Sequence, residues 1–195
     1  MEKLNVGILL FDDVEVLDFA GPFEVFSRTR LTPGAESRRS EDSAPFHVFT
    51  VAKTKQSIQS VGNLIVEPHY SFSEAPRIDI VVIPGGWGSR KVMQDPEILG
   101  WTQRAEQTAR YTSSVCTGAL VLARAGGLLA GRRATTHWAA YDLLESLDDG
   151  VKVIRDVRVV QDGIFSSAGV SAGIDMAFAL VEEICGHSVA DETAH

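Results

Sequence analysis

Residues 111–120 read Tyr-Thr-Ser-Ser-Val-Cys-Thr-Gly-Ala-Leu. Cys116 sits between a β-prone run, Thr112–Val115, and a helix-prone run, Thr117–Ala125. Ser114 two residues before it and Gly118 two after it are both small. A nucleophile elbow asks for small residues at those offsets, because its strand-to-helix turn is strained and crowded. Serine replaces the first glycine, so the match is partial. A thiol at a helix start feels about half a positive charge. In a favourable site this takes it from about 8.5 to about 7, and a nearby donor is needed to ionise it fully. A small buried hydrophobe is the competing reading of the same cysteine. Cys185, in Ala-Phe-Ala-Leu-Val-Glu-Glu-Ile-Cys-Gly, falls at a helix C-terminus where a thiolate is disfavoured, and reads as packing.

Three other positions could take part. Asp18 follows the first strand and suits a helix N-cap. Gly85-Gly86 ends an apolar strand; it either only stops the strand or lets backbone N–H groups face an anion. His137 stands at a helix start. His47, His69, His187 and His195 form no HxxxH or Cys/His cluster, so neither a metal nor another cofactor is expected.

The elements that would position these residues alternate along the chain. Strand runs are expected at 4–11, 46–52, 78–84 and 112–115, with a hairpin over 58–66 turning at Gly62-Asn63. One or two further strands cover 151–160 and 164–166, and 133–137 is a short strand or loop. Helices are expected over 18–28, with Gly21-Pro22 in the first turn, and over 95–109, 117–125, 138–147 and 174–184. Apolar strands alternating with helices indicate an α/β fold, a mostly parallel sheet sandwiched by helices. Ligands in such folds gather at the carboxyl ends of the strands, where Asp18, Gly85-Gly86 and Cys116 all fall.

The 195 residues form one domain, 1–195, which buries roughly 70% of its unfolded surface. Residues 30–45 read as a mobile polar surface loop, and 187–195 as a frayed tail. The net charge of −8 argues against a nucleic-acid partner. No apolar run approaches a membrane span, and the N-terminus does not resemble a signal peptide. With no disulfide pattern, a reduced, cytoplasmic protein is expected.

IPGG at 83–86, SVCTGALVLARAGGL at 114–128, ATTHW at 134–138 and AGIDMAFAL at 172–180 resemble the ThiJ/PfpI superfamily. That resemblance covers about residues 4–186 and implies a flavodoxin-like, class I glutamine amidotransferase-like fold. VLDFAGPFEVF at 16–26, with Cys-Thr-Gly, resembles the branch of isocyanide hydratases and AraC-type sensor domains. The resemblance makes Cys116 the nucleophile and Asp18 its acidic partner, protonated against a thiolate and managing the proton. It places oxyanion or substrate-binding donors at Gly86, Gly85 and Thr117, adds the Thr117 hydroxyl to the catalytic group, and puts His137 near the cysteine. It also implies a homodimer acting on a small-molecule substrate.

Thr117 stands where protease-like relatives carry histidine, which disfavours peptidase chemistry. The downstream histidines, His187 and His195, lie near the chain's end, which disfavours glutamine amidotransferase chemistry. The leading expectation is a cysteine-dependent, cofactor-free isocyanide hydratase. The alternatives are glyoxalase or deglycase chemistry on small carbonyls, and a sensor domain lacking its DNA-binding part.

Overall fold

The computed structural model describes residues 2–147 and 150–195. The chain opens with β1 (Leu4–Leu9), α1 (Val16–Arg28) and β2 (Phe46–Ala52). Short strands β3 (Ile58–Gln59), β4 (Ile65–Val66) and β5 (Tyr70–Ser71) follow, then β6 (Ile80–Ile83). Next come α2 (Ser89–Val92), α3 (Pro96–Thr108), β7 (Tyr111–Val115) and α4 (Gly118–Arg124). β8 (Arg133–Ala134), α5 (Tyr141–Leu147), β9 (Lys152–Val153), β10 (Val159–Gln161) and β11 (Phe165–Ser167) lead to α6 (Ala172–Cys185) and α7 (His187–Ala194).

One seven-stranded sheet runs in the order β10-β11-β7-β6-β1-β2-β5, and only the β10–β11 pair is antiparallel. This is the expected mostly parallel α/β architecture. All four residues of β6 are buried, as a strand covered on both faces requires. The register sets Ile83 of β6 beside Ser114 of β7, and Val115 beside Ser167 of β11. The carboxyl ends of three neighbouring strands therefore come together, and Cys116 is the next residue after β7.

Local signals set several boundaries. Asp95 caps α3 by accepting from the Glu97 and Ile98 N–H groups at 2.9 and 3.4 Å, with Pro96 as the first helical residue. The hairpin of β3 and β4 forms as expected. The expected 151–160 strand is split: β9 pairs with β8 in a separate ladder, and only β10 joins the main sheet. α1 begins at Val16, not Asp18, so Pro22 lies inside it and has no N–H to offer the Asp18 carbonyl.

Two surface segments carry local structure. Residues 30–45 contain a 3₁₀ turn at Ala35–Arg39. Its organiser is Arg30, only 4% exposed, whose guanidinium donates to the carbonyls of Ser27, Thr29, Ser37 and Ser40 and to the Glu41 carboxylate. One side chain with five donors replaces the apolar period that a loop of this composition lacks. Residues 187–195 carry helix α7 instead of a frayed tail. Glu192 accepts from the Gly34 N–H at 2.9 Å, and its carbonyl accepts from Arg38, so loop and terminal helix hold each other. Arg30→Ala leaves these carbonyls without their donor. It is expected to cost about 2–3 kcal/mol, read as a lower urea midpoint.

Candidate active site

Cys116 has φ +57°, a left-handed conformation that a non-glycine residue adopts only when its surroundings impose it. Those surroundings are two backbone hydrogen bonds. The Cys116 N–H donates to the Ser167 carbonyl of β11 at 3.0 Å, and its carbonyl accepts from the Thr136 hydroxyl at 2.8 Å. The strained elbow read from Ser114 and Gly118 is thus present.

Gly169, with φ +116°, lies against the thiol from the far side; a Cβ there would sit 2.6 Å from the Cys116 Cβ and 2.9 Å from its Sγ. Gly169→Ala combines this clash with backbone strain. It is expected to lower stability by about 2–3 kcal/mol, measured by urea unfolding.

Asp18 is completely buried in the first turn of α1, and its side chain does not cap that helix. The N-cap reading gives way to a longer reach. One carboxylate oxygen accepts from the Gly85 N–H at 3.1 Å and the other from the Val170 N–H at 2.9 Å. The carboxylate also lies beside the Cys116 thiol, close enough for each to shift the other's titration. The structure brings Asp18, Cys116 and Gly85 together, with Gly85 directed at the acid and not at the pocket.

The remaining sequence candidates divide. The Gly86 N–H donates to the Thr117 hydroxyl at 3.0 Å. Gly86 has φ +119°, and a Cβ would meet the Glu15 N at 2.4 Å and the Asp13 carbonyl oxygen at 2.5 Å, so only glycine fits. The Thr117 N–H and hydroxyl lie near enough to the Cys116 sulfur to favour its ionised form. His137 lines the pocket but makes no hydrogen bond to the thiol; its Nδ1 accepts from the Ala139 N–H at 3.3 Å. Burial, and then the charge of Arg90, lower its pKa, so the neutral imidazole is favoured.

Sequence reasoning missed three contributors. Ser89, fully buried, places its hydroxyl 2.8 Å from that of Thr117. Thr136 pins the elbow. Val170 holds the acid from 152 positions away through its backbone N–H, which no side-chain motif could reveal. The pocket itself is about 150 Å³, lined by Glu15, Trp87, Arg90 and Ala139 besides the residues above. A roomier groove of about 340 Å³ beside Lys53 and Val92 is lined by no cysteine or histidine.

The electrostatics differ from the helix-start expectation. Burial raises Asp18 from 3.8 to about 6, against the lowering pull of the Val170 and Gly85 N–H groups and the thiol. Burial and then the Asp18 charge push Cys116 up to about 12, opposed by the Thr117 N–H and hydroxyl. A helix end contributes at most about 2 kcal/mol, and that is outweighed here. Near neutral pH the pair shares one proton, held on sulfur while two amides hold the carboxylate. The mechanism proposed below starts from a thiol with the Asp18 carboxylate against it. Among the described residues no group of three or more His, Cys, Asp and Glu could hold a metal. Nor is any described helix long and apolar enough to cross a membrane.

Residues 5–183 match the model of the DJ-1/PfpI family. The chain is 40% identical to the isonitrile hydratase of Pseudomonas putida over 185 residues, 94% of this chain and 73% of that protein. It is 25% identical to the HTH-type transcriptional regulator GbdR of Pseudomonas aeruginosa, covering 91% of this chain but 46% of the regulator. A crystal structure of a ThiJ/PfpI family protein from Pseudomonas syringae superimposes with TM-score 0.85 at 28% identity, over 99% of this chain and 74% of that one. Drosophila melanogaster DJ-1beta, 20% identical, shares the fold with TM-score 0.81, over 100% of this chain and 96% of that one. On the strength of the family match, the relatives and the shared architecture, the chain belongs to the DJ-1/PfpI family.

Proposed function

We propose that the protein is a cysteine-dependent isonitrile (isocyanide) hydratase, converting R–N≡C and water into the formamide R–NH–CHO. The observation that carries this reading is the buried Asp18 carboxylate set beside the Cys116 thiol, close enough for each to shift the other's titration. The relative named for this activity supports it.

The chemistry follows from the pair's single proton. As Sγ attacks the terminal carbon, Asp18 takes the thiol proton, which removes the like-charge opposition that keeps the thiol protonated. Asp18 then delivers that proton to the same carbon. A C–S and a C–H bond form, and the carbon lone pair is consumed, giving the thioimidate R–N=CH–S–Cys116. Water adds to this carbon through oxygen while nitrogen gains a proton, giving R–NH–CH(OH)–S–Cys116. The C–S bond breaks, the hydroxyl proton leaves, and sulfur is reprotonated, releasing the formamide. No electrons are exchanged with a third party, so the reaction asks for no cofactor.

Each neighbour has a part in this scheme. Gly85 and Val170 hold the base. The Thr117 N–H stabilises charge on sulfur during attack, as a preorganised donor does. The Thr117 hydroxyl, shared with Gly86 and Ser89, orients this donor pair. Gly86 supplies an oxyanion donor once its N–H turns from Thr117 to the oxygen added by water. His137 contributes a neutral wall and positions Trp138, whose ring centroid is 5.3 Å from its own. The reading includes the homodimer that the family resemblance implies, which sedimentation would register.

The test incubates the purified protein with cyclohexyl isocyanide and follows formamide, with Cys116→Ala as control. Turnover by the wild type alone supports the proposal. A wild type no faster than the control overturns it. Methylglyoxal consumption with lactate formation would instead indicate carbonyl chemistry, and ligand binding without turnover a sensor.

A further inference from the structure

Arg90 is a half-buried cation on the wall of the thiol pocket. Its guanidinium carbon lies 5.0 Å from the Trp87 ring centroid, a cation–π contact. Among the described residues the guanidinium has no carboxylate partner and donates no hydrogen bond. Arg30, Arg39, Arg77, Arg110, Arg133, Arg155 and Arg158 all lie within 4 Å of an acid. Arg90 is the arginine that lines the reactive pocket, and its charge there has no acidic partner among the described residues. Its charge is felt inside that pocket, where it lowers the pKa of His137.

We propose that Arg90 selects isocyanides that also carry a carboxylate. This rests on the hydratase reading and names its substrate class. A guanidinium presents two parallel N–H groups that match a carboxylate's two oxygens. The Trp87 face holds that fork in place, so little freedom is lost on binding. Glu15, the other charged group lining the pocket, opposes an anion, so the carboxylate must be received at the Arg90 side. The isocyano carbon can then reach Cys116 from the other end of a short chain.

The experiment compares 3-isocyanopropanoate with its methyl ester, measuring kcat/KM for both at low salt. The wild type is expected to favour the acid at least about tenfold, with the preference shrinking as salt screens it. Arg90→Gln is expected to abolish this ratio, chiefly through KM, and Arg90→Lys to restore part of it. An acid-to-ester ratio unchanged by Arg90→Gln overturns the proposal. Equilibrium binding of the same two compounds to Cys116→Ala reads the preference without chemistry. Selective binding of the acid without wild-type turnover would keep Arg90's role and discard the hydratase reading. Turnover with no preference for the acid would discard the Arg90 proposal and keep the hydratase.

Discussion

Cys116→Ala is expected to reduce formamide formation by at least about 10⁴-fold, to the level of reaction without protein. The proposed covalent step needs a nucleophile that both attacks carbon and leaves from it, and Cys116 is the cysteine that lines the pocket. Cys116→Ser is expected to lose nearly as much, because a hydroxyl is a far weaker acid than the thiol and Asp18 cannot deprotonate it readily. The fold should survive either change. The Ala variant gives up one thiol beside Asp18 and a small packed volume, about 1 kcal/mol. The Asp18 carboxylate loses the thiol that helped keep it ionised, so Asp18 should titrate higher still in that variant. A fully active Cys116→Ala protein would leave the pocket without a mechanism. Matched melting curves guard against mistaking an unfolded variant for an inactive one.

The parts of this arrangement that could be read from sequence are those set by local side-chain patterns. The buried run Ile80–Ile83 gives a parallel strand because both its faces are covered, and Cys116 between β-prone and helix-prone runs gives the elbow. Asp95-Pro96 opens a helix by its own chemistry. What stayed hidden depends on contacts distant in sequence. Arg30 looks like one more charge in a polar stretch until its guanidinium meets four carbonyls. α7 is held partly by the loop it holds in turn, so neither shows a signal alone. The acidity of the thiol depends on such contacts too. A helix start is visible in sequence, whereas complete burial of Asp18 and its closeness to sulfur are not. An aspartate after the first strand can be read from sequence, but its charge state depends on the N–H groups that Gly85 and Val170 aim at it.

Asp18→Asn tests that charge state through two measurements of opposite sign. Asparagine has nearly the same shape, but its amide cannot accept the thiol proton, and its NH₂ must face an N–H that the carboxylate received. Turnover is expected to fall about 10²–10⁴-fold, the usual range for losing a positioned base. The wild-type rate should rise with pH through about 6, where the carboxyl ionises, and then level off because the thiol stays protonated up to about 12. The variant's residual rate should lack that rise. Stability runs the other way. Asp18 titrates at about 6 in the folded protein against 3.8 as its ordinary value, so the native state binds its proton more tightly than the unfolded chain does. Folding stability must therefore decrease as pH rises from about 4 to about 6, by about 3 kcal/mol from this group, and this contribution is constant above that. Other carboxylates, such as Asp95 and Asp162, are shifted downward and contribute slopes of the opposite sign, so the difference between wild type and variant isolates Asp18. The rate thus grows across the same interval in which the fold weakens, because both follow from ionising one buried carboxyl. A stability difference with this slope beside a pH-independent wild-type rate would keep Asp18 as a buried acid and remove it as the base.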